Sequence, residues 1–201
     1  MDHEKHLQNL SELKNILSKN TRFLSFSGIS GVIAGALALL GMWLFVELVQ
    51  SDIRMSNERY LLLGILIGSG IIILAVGFGI FLTRRRIRLE GTKVNQSVVK
   101  NTLIHILFPI VIGGITCLIL AYQGNFLYIP ALMLLFYGIG LFNGSQFSFD
   151  DLKYMGLRFV GLGLLTFVMP ELSMWTWGAG FGVFHILYGL RIYIKHERKT
   201  A

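Results

Sequence analysis

Charge is scarce in this sequence: only 14% of the 201 residues are charged, with 11 acidic side chains against 18 Lys and Arg. Cysteine is nearly absent. Cys117 stands alone, which excludes an intrachain disulfide framework and any Cys-x-x-Cys pair. The catalytic signatures are missing too, with no His-Glu-x-x-His zinc helix, no Walker loop and no Gly-x-Ser-x-Gly elbow. No apolar segment carries an Arg-rich voltage-sensor pattern. Without a nucleophile–base pair or paired acids inside a membrane segment, the chain is expected not to be an enzyme, and neither metal nor cofactor is expected.

What is present is apolar. Hydrophobic residues make up 54% of the chain and the mean hydropathy is +0.64, outside the usual soluble range. These values point to a multi-pass membrane protein. The start does not follow a cleavable secretory layout: mixed polar residues precede a full-length apolar run, where a signal has a short basic stretch and a short core.

Phe23–Val46 and Tyr60–Thr83 are each 24 residues without a charge, more than the roughly 20 that cross the hydrocarbon core. Asn101–Phe149 holds two further spans, broken at Tyr122–Asn125, with Pro130 suited to a first helical turn. Leu152–Met169, which carries Lys153 and Arg158, gives a fifth, and Leu172–Leu190 a sixth. The positive-inside rule tests this number. Six crossings put 16 of the 18 Lys and Arg on one side and leave only Arg54 and Arg59 opposite. Five crossings would carry the basic C-terminal stretch outside. The net charge of +7 therefore reads as topology, not as a nucleic-acid footprint.

The expectation is an all-α, polytopic integral membrane protein of the cytoplasmic (inner) membrane, with both termini cytoplasmic. An amphipathic helix at 1–21 precedes a membrane domain at 22–194, and 195–201 form a basic tail. The spans fall at about 23–47, 60–83, 101–122, 127–143, 152–169 and 172–192, arranged as three antiparallel hairpins. In the first segment Leu7, Leu10, Leu13, Ile16 and Leu17 share one helical face. Such a helix lies in the interface or docks a partner.

Small residues let helices approach in lipid, and Gly31, Gly35, Gly64, Gly68, Gly178 and Gly182 recur at four-residue spacing. They are expected to pack helices within the chain, a homodimer seam being the alternative. Arg84, Arg85, Arg86 and Arg88 form the densest cluster and are expected to contact lipid headgroups. Ser148-x-x-Asp151, flanked by Phe147 and Leu152, fits a capping box with its hydrophobic staple, although Asp150 and Asp151 also offer an acidic pair. Arg158 is expected to snorkel or find a neighbour. His3 and His6 beside the N-terminal amine make a weak chelating group, against which stands a solvated terminus.

His185 is the intramembrane candidate, roughly 12 Å from the cytoplasmic end of its span at 1.5 Å per residue. Ionisable groups at such depth are functional candidates by default, yet a neutral imidazole needs only one donor and one acceptor. Tyr188 shares its face, and His105 enters roughly 7 Å into the third span.

The run "LFPIVIGGITCLILAYQGNFLYIPALMLLFYGIGLFNGSQFSFDDLKYMG" with "WGAGFGVFHILYGLRIY" resembles a group of uncharacterised small multi-pass inner-membrane proteins of bacteria. The resemblance covers nearly the whole chain, including "HLQNLSELKNIL", and implies no activity. In hairpin-built six-helix architecture alone, the chain is similar to the HdeD-type stress-associated membrane proteins.

Three roles follow. The first is a non-enzymatic membrane component that holds a cytoplasmic protein partner, or a second copy, or stabilises the envelope through its cytoplasmic face. The second is a small transporter or channel whose polar path uses His185, Tyr188 and His105. An intramembrane enzyme acting on lipid comes third. Membrane lipid is an expected partner and nucleic acid is not.

Overall fold

A computed structural model describes residues 27–52, 54–90, 95–148 and 150–197. The amphipathic segment, the N-terminal histidines and the end of the basic tail lie outside them. The described residues are helical and contain no strand. Four helices are long and apolar enough to cross a membrane: α1 (Gly28–Ser51), α2 (Asn57–Glu90), α3 (Gln96–Tyr122) and α4 (Ile129–Gly144, continued by a 3-10 turn to Phe147). The chain is thus an all-helical protein compatible with a membrane. After α4 come α5 (Asp150–Val168) and a short 3-10 turn, Pro170–Leu172. A last helical run, α6, then occupies 173–197.

Local chemistry explains the boundaries. The Asn95 side chain accepts from the backbone of Ser97 at 3.1 Å, starting α3 before its apolar stretch. Gly124, at φ +78°, turns the chain after α3, and Pro130 lies in the first turn of α4. α2 outruns its apolar segment through Arg84–Glu90, because Arg, Leu and Glu are good helix formers and need no lipid. α6 is not uniform. Ser173–Trp177 is α-helical, Gly178–Phe184 is a π-helix, His185–Ile192 is α-helical, and Tyr193–Glu197 widens again.

Neighbours run antiparallel, as their contacts show. Gly41 of α1 meets Ile71 of α2, and Gly64 of α2 meets Phe45 of α1. Gly28 lies on Gly189 and Tyr193 of α6, whereas Gly178 lies on Met42. Gly144 of α4 faces Thr102 and Ile106 of α3, while Gly113 faces Phe136. Gly138 faces Gly156 and Val160 of α5, and Gly163 faces Ala131 and Leu135. The largest helix contacts join α4 to α5 and α3 to α4, and α1 packs on both α2 and α6. This differs from three separate hairpins: α5 leans mainly on α4, and α6 is shared between α1 and the α4–α5 pair.

The core is small and aromatic. Leu134 and Leu141 of α4 enclose it with Leu152, Met155 and Phe159 of α5, and Phe181, Phe184 and Tyr188 of α6 close over them. Elsewhere apolar side chains cover the surface: Leu66, Ile73 and Phe81 of α2 are more than half exposed, as are Phe108 and Leu118 of α3. A soluble protein rarely shows so continuous an apolar exterior.

Glycine makes the close approaches. A Cβ at Gly35 would stand 2.5 Å from the Gly182 carbonyl oxygen, and one at Gly31 3.1 Å from the Gly189 Cα. Gly178 and Gly182 receive Met42 and Leu39 of α1. Gly64 is in ordinary contact with Phe45, but Gly68 has nothing within 4 Å. Among the described residues α2 leans on α1 through Ile67 and Ile71, which fill the space over Gly41, and Gly68 faces open space.

Candidate functional site

The ionisable ring of His185 is held where α4, α5 and α6 meet, partly buried in the helix packing. Its ring lies among Tyr137, Phe159 and Phe181, with centroid separations of 5.4, 5.5 and 6.2 Å. Nδ1 is 3.3 Å from the Gly180 carbonyl oxygen and Nε2 is 2.7 Å from the Tyr137 hydroxyl. A carbonyl only accepts, so Nδ1 carries the proton and donates to Gly180. Nε2 is then bare and accepts from Tyr137. The neutral imidazole has its one donor and one acceptor, both from protein, which is how a polar ring is accommodated without water.

This geometry falls at the end of the π-helical turn Gly178–Phe184. In an α-helix the backbone N–H of His185 would go to Phe181, four residues back. Here it goes to the Gly182 carbonyl, three residues back, a tightening at the end of the wide turn, and the imidazole takes the Gly180 carbonyl. Gly180 faces Leu134 and Phe159, where a side chain would overlap both. The wide turn, the glycine and the histidine form one local unit.

Tyr188 lies one turn further along α6, against the same core as Tyr137. Beyond it Asp151 of α5 accepts from two cations of α6, Arg191 at 3.1 Å and Lys195 at 3.3 Å. The carboxylate side chain is 18% exposed, against 62% and 55% for the cations. Asp151 thus joins two helices, a role that capping did not anticipate. Ser148 is buried and its backbone N–H donates to Ser145, and Leu152 enters the core. Phe147 packs on His105 with ring centroids 4.7 Å apart. Arg158 is exposed, with no described carboxylate beside it.

The structure does not bring His105 to this site. It is exposed on α3, its Nδ1 donating to the Asn101 carbonyl at 2.8 Å. Of the three residues expected to line a path, His185 and Tyr188 lie at the α4–α5–α6 core, and His105 lies on α3 beside Phe147. Arg84, Arg85 and Arg88 are exposed at the end of α2, and Arg86 is half-buried. Among the described residues no three His, Cys, Asp or Glu converge as a metal site would require.

Tyr137 was not foreseen, although a mid-span hydroxyl in "LFYGIG" must find a partner and is itself a signal. Thr166 and Thr176 were also missed. Their hydroxyls bond at 2.7 Å between α5 and α6, and both are buried.

These features define an all-helical protein compatible with a membrane, with a satisfied histidine at its helix crossing and an ionic clasp at one end. No family model matches the chain, and no curated protein or solved structure matches it.

Proposed function

We propose that α5 and α6 cross the bilayer with the other four helices, placing both termini in the cytoplasm of a cell bounded by an inner membrane. In this reading the protein is a non-enzymatic membrane component that holds a protein partner at its cytoplasmic face. The observation that carries it is the sorting of cations along an antiparallel bundle. Arg84, Arg85, Arg86 and Arg88 end α2, Lys100 begins α3, Lys153 begins α5, and Arg191 and Lys195 fall near the end of α6. The opposite end has Arg54 and Arg59, the latter 3.5 Å from Asp52. Cytoplasmic loops retain Lys and Arg, so the rich end is inside. Tyr122 and Trp175 at the other end are 88% and 76% exposed, as interfacial aromatic side chains are.

Residues 1–21 and the 84–100 connection carry the partner contact in this reading. Affinity capture from membranes of cells expressing the full chain tests it. A partner should be lost when residues 1–20 are removed or when Arg84, Arg85, Arg86 and Arg88 become Gln. Capture unchanged in both variants would end the proposal.

A second reading, a small transporter, draws on Tyr188, Tyr137 and His185, polar groups at one core of which Tyr137 and His185 are bonded. Against it stand the two ring nitrogens of His185, both occupied by protein. Ion flux in reconstituted vesicles decides: equal flux with and without His185→Ala removes this residue from any path.

A further inference from the structure

We propose that α6 has two registers, and that the Asp151 clasp and the Tyr137–His185 bond together hold it in the wider one. The starting point is where the π-helical turn sits. Gly178 and Gly182 admit Met42 and Leu39 of α1 on one side, and Gly180 admits Leu134 and Phe159 on the other. The wide turn is thus wedged between α1 and the α4–α5 pair by glycines that would permit either winding.

A π turn holds about one residue more than an α turn. Rewinding it to α geometry rotates everything beyond it by roughly 100°, the angle of one residue. Three sets of contacts lie beyond it. The His185 ring bonds Tyr137 and Gly180, the Gly189 backbone meets Gly28 and Gly31, and Arg191 and Lys195 pair with Asp151. All three require the wide register, and one rotation would break them together. Contacts that stand or fall with one helical element are coupled through it, whatever their separation.

The clasp is the accessible end of this coupling. Arg191 and Lys195 are largely exposed, while the Asp151 carboxylate faces inward. An anionic group that draws the two cations away removes part of what favours the wide turn, and the loss is felt at Tyr137. The device converts a surface electrostatic contact into rotation of a helix in the core, a switch of the helix-shift kind. It operates whatever occupies the cytoplasmic face.

The experiment measures one distance in the full chain in lipid nanodiscs, by double electron–electron resonance. Spin labels go on Tyr154→Cys and Leu187→Cys, both exposed, in a Cys117→Ser background. The parent should give one distance. Asp151→Asn should add a second population displaced by roughly 10 Å, as expected for a side chain carried round a helix of that radius. Arg191→Gln with Lys195→Gln should do the same, and these two exposed positions put folding at little risk. Deleting Ala179 removes the surplus residue, so it should restore a single population even with Asp151→Asn. One unchanged distance in both clasp variants would overturn the proposal, as would a second population that survives the Ala179 deletion.

Discussion

Gly138 on α4 and Gly156 on α5 face each other so closely that a Cβ on either would stand 2.7 Å from the other's carbonyl oxygen. Both neighbours are backbone and cannot rotate away. Gly138→Ala or Gly156→Ala should therefore destabilise the protein by about 1–3 kcal/mol, the usual cost of overpacking. Gly70→Ala and Gly77→Ala meet open space and should leave stability unchanged or slightly raised. Thermal unfolding in one detergent, followed by tryptophan fluorescence, compares the four. Equal behaviour of the two pairs would refute close backbone packing at this crossing.

The hydroxyl of Tyr137 and the ring of His185 should depend on each other energetically. Tyr137→Phe leaves a bare imidazole nitrogen among aromatic rings, and an unmet acceptor costs about 1–3 kcal/mol. Membrane-embedded bonds tend towards the low end, because the unfolded chain in lipid also finds partners, with couplings averaging about 0.6 kcal/mol. A double-mutant cycle with Tyr137→Phe and His185→Leu should give a favourable coupling of that order. A coupling of zero would mean that the two groups do not bond in the membrane.

Much of the helical layout was legible because lipid imposes simple rules. An apolar run lacking charge must be helical, and its ends fall where polar residues return, as at Asn57, Asn95 and Gln123. The pairing of helices was not legible in the same way. Tyr137 and His185 are 48 residues apart, and no periodicity relates residues on different helices. The four-residue glycine spacing marked Gly31, Gly35, Gly178 and Gly182, which meet neighbours, but also Gly68, which meets none among the described residues. Spacing reveals a face, not what lies against it. The wide turn of α6 escaped because apolar periodicity assumes 3.6 residues per turn, and "GAGFGVF" has no Pro to announce a departure.

Thr166 and Thr176 offer a second polar tie between α5 and α6, near the end opposite the Asp151 clasp. Each hydroxyl also donates to a carbonyl of its own helix or accepts from its partner, so removing one leaves alternatives. Thr176→Val should cost about 0.5–1 kcal/mol, less than a Gly138 or Gly156 substitution. The same unfolding assay checks the ranking. A loss larger than that of Gly156→Ala would place the main α5–α6 anchor here.

Orientation should respond to charge in steps. Each juxtamembrane Lys or Arg contributes about 1 kcal/mol near an anionic surface, so Arg84, Arg85, Arg86 and Arg88 together weigh heavily. Changing all four to Gln leaves 12 of the 16 Lys and Arg assigned to that side, Lys100, Lys153, Arg191 and Lys195 among them, to hold the same end inside. A minority of inverted chains is therefore expected, not complete reversal. A single cysteine at Asn125, in the turn between α3 and α4, reports the outcome in a Cys117→Ser background. In intact cells an impermeant maleimide should label it fully in the parent and to a lesser extent in the four-Gln variant. If the parent is labelled only after the membrane is opened, the cation-rich end faces outward and the proposed topology is reversed.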